Sequence, residues 1–193
     1  MGKKQPPQPL TADEVKQLIN ACSPKCPTGL RNRALIALLH QSGLRISEAL
    51  ALLPHDIDTH DQTLTVRHGK GDKRRVVSVG ESALLALSLW MAERTRLGIG
   101  PKQPVLCTLK GHPVKTAYIR CLLPRLATKA GISKRVHAHG LRHTHAVALV
   151  RQQQPIDVIK GQLGHSCIAT TARYVDHLCP AERLERLKGI KWE

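Results

Sequence analysis

The chain contains no phenylalanine, and its other aromatic residues are limited to Trp90, Trp192, Tyr118 and Tyr174. A core without aromatics must be built from Leu, Ile, Val and Ala. Leu and Ala are among the strongest helix formers, so such a core favours packed helices. A length of 193 residues suits one domain with at most a short appendage, and an apolar fraction of 41% is enough to fill its core. The same shortage narrows the chemistry, because any phenolic nucleophile must be Tyr118 or Tyr174.

The hydrophobic pattern bears out the helical bias. Thr11-Ala12-Asp13-Glu14 is a capping box that opens a helix running to about Ala21. Pro27-Thr28-Gly29 opens a second, carried by Ala34 to Leu39 and closed by Gly43 as its C-cap. A short helix from Ser47 to Leu53 is stopped by Pro54. The period then changes from helical to alternating. Leu64 and Val66 alternate with Thr63, Thr65 and Arg67, and Val77 and Val79 flank Ser78 after Arg74-Arg75-Val76. These are two strands of a hairpin whose tip is Gly69-Lys70-Gly71-Asp72, with a weak extra strand near Asp56 to Asp58. Helical patterns return over Ser82 to Leu97, Lys115 to Ala130, His139 to Arg151, Pro155 to Gln162, Ile168 to about Val175 and Ala181 to Leu187. Pro124 is expected to kink or split the Lys115 to Ala130 helix. The expected fold is α+β, mainly α-helical, with a small antiparallel sheet or β-hairpin. Residues 1–10 read as a disordered lead-in, 11–180 as the main domain, and 181–193 as a helical tail with Leu184, Leu187 and Ile190 on one face.

Thirty Lys and Arg against fourteen Asp and Glu leave a net charge of +16. A charge that large on a small domain implies a polyanionic partner. No apolar run approaches the roughly 20 residues that span a bilayer, and no signal-peptide core follows Met1. The positive charge is spread through helices and loops rather than gathered in one amphipathic tract, which favours nucleic acid over a membrane surface. Single-strand binders usually stack bases on aromatic side chains, and this chain has almost none to offer. Its affinity should come from phosphate contacts, as on double-stranded DNA. The six cysteines are scattered without a CxxC, as expected of reduced thiols in a cytoplasmic, nucleoid-associated protein.

Metal-free attack on a phosphodiester needs fixed cations for the non-bridging oxygens, a nucleophile, and an acid for the departing oxygen. Arginine suits the first task because its fork is planar, always charged and can be bidentate. Arg45 follows a helix-ending glycine, with Glu48 at the spacing of a supporting carboxylate. His139 and Arg142 lie three apart at a helix start, where both can face one ligand. His165 sits in the turn Leu163-Gly164-His165-Ser166, and Tyr174 follows nine residues later. Each has a bland alternative. Arg45 alone reads as a surface arginine, and Tyr174 alone as a core residue. His139 and His143 have the i, i+4 spacing of zinc ligands, although no HExxH pattern and no nearby carboxylate accompanies them.

Taken in order, Ser42-Gly43-Leu44-Arg45-Ile46-Ser47-Glu48, Gly69-Lys70-Gly71-Asp72-Lys73, His139-Gly140-Leu141-Arg142-His143, Leu163-Gly164-His165-Ser166 and Tyr174 resemble the catalytic domain of the tyrosine recombinases, or phage-type integrases. The resemblance covers roughly residues 10 to 180. It implies a site-specific recombinase that cleaves and rejoins DNA through a 3′-phosphotyrosyl intermediate, with no metal, ATP or other cofactor. It implies Tyr174 as nucleophile, Arg45 and Arg142 on the phosphate oxygens, and Lys70 as the acid for the 5′-oxygen, with Lys73 its rival. His139 would help to take the tyrosine proton and His165 would hydrogen-bond the phosphate. It also implies a homo-oligomer, a tetramer on paired DNA sites, in which the tail docks on a neighbour or on its own domain. The match begins near Leu10, so the N-terminal core-binding domain of most members is expected to be missing. That leaves an excised domain or a short recombinase of the kind that inverts promoter segments. A module that binds DNA without cutting, a type IB topoisomerase-like relaxase and a metal-dependent nuclease are the alternatives.

Overall fold

The computed structural model describes residues 8–69, 71–165 and 167–172. Eight α-helices and a small sheet follow in the order α1 (Ala12–Asn20), α2 (Pro27–Ser42), α3 (Ile46–Ala51), β1 (Ile57–Asp58), β2 (Thr63–Val66), β3 (Arg75–Ser78), α4 (Glu81–Arg96), α5 (Thr116–Lys129), α6 (Ala138–Arg151), α7 (Ile156–Leu163) and α8 (Ile168–Ala172). A 3-10 turn, Pro54–Asp56, links α3 to the sheet. The α+β, mainly helical architecture is the one the aromatic-poor core favours. Among the described residues no helix is long and apolar enough to cross a membrane.

Helix α2 is the central post. Ala34 through Leu39 are all buried, so it is apolar around its whole circumference rather than along one stripe. It packs against α1, α3, α4 and α6. The main core is almost wholly aliphatic, with Trp90 its one large aromatic among the described residues and the indole Nε1 donating to the Val105 carbonyl at 2.7 Å. A second cluster of Ala146, Val147, Val150, Ile159 and Leu163 joins α6 to α7.

The sheet is antiparallel in the order β1-β2-β3, with Leu64 opposite Val77 and Val66 opposite Arg75. Leu64, Val66 and Val77 point inward as the alternation requires. Val79 lies one residue past β3 but stays buried, its amide donating to the Gln62 carbonyl at 2.9 Å. The weak extra strand is present as β1.

Thr11 caps α1 as expected. Its hydroxyl accepts from the Glu14 amide and the Glu14 carboxylate accepts from the Thr11 amide, at 3.1 and 2.7 Å. Leu10, at the end of the expected lead-in, is buried and its amide donates to Thr144 Oγ1 at 3.0 Å, while residues 1–7 lie outside the described residues. Pro124 does not split α5, which runs undivided from Thr116 to Lys129. Pro124 and Arg120, whose carbonyl loses its helical donor, are both exposed, so water can replace the missing bond. Ile119, Leu122, Leu123 and Leu126 hold the opposite face in the core. The expected tail helix, 181–187, lies outside the described residues, as does the expected continuation of α8 beyond Ala172.

Candidate active site

Two helix C-termini form the frame of the site. Helix α2 ends on Gly43 and α7 ends on Gly164, both left-handed with φ of 64° and 62°. At Gly43 a side chain would collide with its surroundings, because a Cβ would stand 2.5 Å from His145 Cδ2 and 3.0 Å from Leu163 Cδ2. The two helix ends therefore meet closely over His145. Their final carbonyls carry the negative end of each helix dipole and have no intrahelical donor.

The arginines supply those donors. Arg142, buried on α6, reaches the Gly43 carbonyl with Nη1 at 2.7 Å and the Leu163 carbonyl with Nη2 at 2.6 Å. Arg45, the N-cap of α3, reaches the Gly164 carbonyl with Nη2 at 3.1 Å. Two arginines distant in sequence are thus both held at the end of α7, and Arg142 is held at the end of α2 as well.

Glu48 adds a second layer. It is buried on the first turn of α3, where Oε2 accepts from the Arg45 amide at 2.8 Å and Oε1 from Arg45 Nη1 at 2.8 Å. The spacing seen in the sequence thus produces the expected pair. The same carboxylate also takes both terminal nitrogens of Arg75, at 2.9 and 2.8 Å. Burial by itself would raise the Glu48 pKa, but hydrogen bonds and charge from Arg75 and Arg45 outweigh it and bring the carboxyl down to about 2.

His165 follows Gly164 directly. Its Nδ1 lies 2.9 Å from Thr171 Oγ1 on α8. Burial, and then the charges of Arg142 and Arg45, push its pKa down to about 4. His139, on the exposed side of the first turn of α6, is also lowered from its ordinary value, by desolvation first and then by the charges of Arg142, His137 and Arg45. Both imidazoles are therefore mainly neutral at pH 7, and a neutral ring can accept a proton or donate its single N–H. Among the described residues no group of three His, Cys, Asp or Glu gathers as metal ligands.

Arg45, His139, Arg142 and His165 thus come together. Lys70 and Tyr174 lie outside the described residues. On either side of Lys70, the Gly69 amide donates to the Lys73 carbonyl at 3.1 Å and the Asp72 amide to the Gly69 carbonyl at 3.0 Å. The rival Lys73 is exposed. Tyr118, the other tyrosine, lies on α5 against the start of α2, the end opposite Gly43. Its hydroxyl accepts from Arg31 Nη2 at 2.9 Å, with the guanidinium carbon 5.1 Å from the ring centre.

Sequence reasoning missed Arg75, Thr171 and Gln162. The first left a signal. Arg75 shares the inward face of β3 with Val77, and a charge on a buried face requires a partner. Gln162 ties α7 to β3 and α2, its Nε2 donating to the carbonyls of Ser78 and Ser42 at 2.8 and 3.1 Å. Neither Gln162 nor Thr171 stands out in the pattern.

Residues 8–179 match the phage integrase family. Among curated proteins, tyrosine recombinase XerC of Xylella fastidiosa (strain 9a5c) is 38% identical over 168 residues, which is 87% of this chain and 55% of that protein. XerC of Xanthomonas campestris pv. campestris (strain B100) is 37% identical over 168 residues, 87% of this chain and 51% of that protein. The chain spans about half the length of these relatives. Among solved structures, the crystal structure of XerA recombinase aligns with a TM-score of 0.83 at 30% identity, covering 100% of this chain and 67% of that one. The XerH site-specific recombinase bound to palindromic difH substrate, a post-cleavage complex, aligns at 0.76 and 26% identity, covering 95% and 53%.

Proposed function

The chain belongs to the phage integrase family of tyrosine recombinases, and from that premise we propose that it is a site-specific recombinase acting on double-stranded DNA. The observation that carries the proposal is the bracing of Arg45 and Arg142 by two helix ends, with His139 and His165 held mainly neutral beside them. Two fixed guanidinium groups suit a phosphate whose non-bridging oxygens gain charge as it is attacked, and they need no reorganisation at that moment.

In this reading Tyr174 Oη attacks phosphorus, the bond to the 5′-oxygen breaks, and a 3′-phosphotyrosyl link forms. The 5′-oxygen takes a proton from Lys70. An unperturbed tyrosine has a pKa near ~10, so its proton needs an acceptor, and neutral His139 is that group. His165 donates to a phosphate oxygen. The reverse attack by a 5′-hydroxyl of another strand restores the diester. The step is an exchange of one phosphoester for another, so it needs no ATP. Synapsis of two DNA sites would bring four copies together, and the net charge of +16 would serve the phosphate backbone.

The test is covalent trapping on a nicked duplex that carries a verified target site and loses its short 5′-strand after cleavage. The protein should form an SDS-resistant adduct in the presence of EDTA. Tyr174→Phe should abolish it and Tyr118→Phe should not. An adduct that survives Tyr174→Phe would overturn the assignment of the nucleophile. DNA-bound mass on a pair of such sites tests the tetramer.

A further inference from the structure

The geometry points to Arg75 as a positioning residue for the phosphate site: through Glu48 it fixes Arg45 and keeps the charge of Arg45 from being cancelled. This rests on the DNA-cleavage reading above and assigns one more residue to it.

Arg75 leads β3, the strand that returns from the Lys70 turn. Its side chain is only 14% exposed. Each of its terminal nitrogens takes one oxygen of Glu48, and Arg45 takes the same two oxygens with Nη1 and its own amide. One carboxylate therefore accepts four hydrogen bonds from two arginines. Glu48 is held ionised far below neutral pH, so its negative charge is permanent under working conditions. With Arg45 alone, that charge would make a neutral pair at the point where a phosphate needs a cation. Arg75 makes the group of three net positive. The field of Arg75 also reaches His165, whose pKa it helps to lower.

The packing agrees with a fixed placement. Arg75 Nε is buried and has no hydrogen-bond partner among the described residues. It lies against Gly164, where a Cβ would stand only 2.7 Å from it. Gly164 is also the residue whose carbonyl receives Arg45. Arg45, Glu48, Arg75 and Gly164 thus form a closed ring in which moving one displaces the next. A simple brace between strand and helix would explain the contacts but not the need for a second positive charge.

The experiment compares single-turnover adduct formation on the nicked duplex with DNA affinity by fluorescence anisotropy. It uses the wild type, Arg75→Gln, Arg75→Lys and Arg75→Gln with Glu48→Gln, with folding checked by circular dichroism. Arg75→Gln should slow adduct formation at least ~tenfold while DNA affinity changes less than ~threefold, the pattern of lost transition-state stabilisation. Adding Glu48→Gln should recover at least ~threefold of the rate, because no uncompensated charge then opposes Arg45. Arg75→Gln at the wild-type rate, or a double variant no faster than Arg75→Gln, overturns the inference. If Arg75→Gln does not fold, Arg75→Lys decides. It keeps the charge and loses the fork, so a rate within ~threefold of wild type supports the compensating charge and a loss of ~tenfold or more overturns it. A substrate with sulfur in place of the 5′-bridging oxygen needs no acid to leave. Restoration of Arg75→Gln by that substrate would mean that Arg75 acts on Lys70 instead, which also overturns the assignment to Arg45. A wild type that forms no adduct defeats the DNA-cleavage reading itself. A wild type that does, with Arg75→Gln unimpaired, defeats only the role of Arg75.

Discussion

Arg45 donates from Nη2 to the carbonyl oxygen of Gly164 across 3.1 Å, joining residues 119 positions apart. The bond exists because α7 ends in a left-handed turn that leaves this carbonyl without a helical donor. Gly164 also leaves room for Arg75, so an alanine there meets two obstacles. Gly131 offers a control, since its φ of 68° is similar but no atom lies within 4 Å of its would-be Cβ. Gly131→Ala should cost about 1 kcal/mol, the strain of the left-handed backbone alone. Gly164→Ala should cost about 3 kcal/mol, the added part reflecting overpacking against Arg75. Urea unfolding of the two variants measures the difference, and equal losses would show that Arg75 gives way freely.

Arg142 satisfies two carbonyls, of Gly43 and Leu163, from a position only 2% exposed. Lysine carries its three donors on one nitrogen and lacks the two separate nitrogens with which Arg142 meets these carbonyls. Arg142→Lys should therefore leave a buried carbonyl orphaned and cost about 1–3 kcal/mol of stability, read from denaturant midpoints. On the proposed function it should also slow adduct formation at least ~100-fold. A large loss of activity with no loss of stability would separate the phosphate role from the bracing role.

The parts of this fold that could be read along the chain are those set by neighbours. The Thr11 cap, the Gly43 helix end and the inward alternation of Leu64, Val66 and Val77 each depend on a few adjacent residues. The pairing of Arg45 with Glu48 is of the same kind, three residues apart on one helical turn. Arg75 is 27 residues from Glu48, and Gln162 is 84 from Ser78. Those bonds depend on how β3 and α7 pack, which no local pattern carries. That Pro124 does not split α5 has a related reason. A proline breaks a helix when the freed carbonyl has nowhere to turn, and whether Arg120 faces water is decided by the fold. The order of motifs along the chain singled out Arg45, His139, Arg142 and His165, which the fold brings together, while the contacts that hold them there were not legible.

Tyr118 offers a clean separation of structure from chemistry. Its hydroxyl accepts from Arg31 at 2.9 Å and from Asn32 at 3.4 Å, both buried residues at the start of α2. Tyr118→Phe should destabilise the protein by about 1 kcal/mol and leave adduct formation at the wild-type rate below the melting transition. A denaturant curve and the trapping assay on the same preparation check both halves.

Stability should fall as the solution is made acidic, in two stages. His145 is buried under Gly43, and its pKa is lowered to about 4 by burial, then by the charges of neighbouring His40 and Arg142. An unfolded histidine titrates near 6.5, so between about pH 6.5 and 4 the unfolded chain binds a proton that the folded chain refuses. The contribution of His145 is therefore fully present above the unfolded value and is lost as pH falls toward the folded one. His165, also near 4, acts in the same window. Glu48 acts lower. Its carboxyl is held near 2 against an ordinary value of 4.5, so its stabilising ion pairs persist above 4.5 and are lost as pH falls through about 2. Melting temperatures should decline between pH 6.5 and 4 and again below that. His145→Phe keeps a flat ring but has nothing to protonate. It should make the first decline shallower, leaving the share of His165, and leave the second, whatever its own offset in stability. Parallel curves for wild type and variant would mean that His145 is not the buried titrating group.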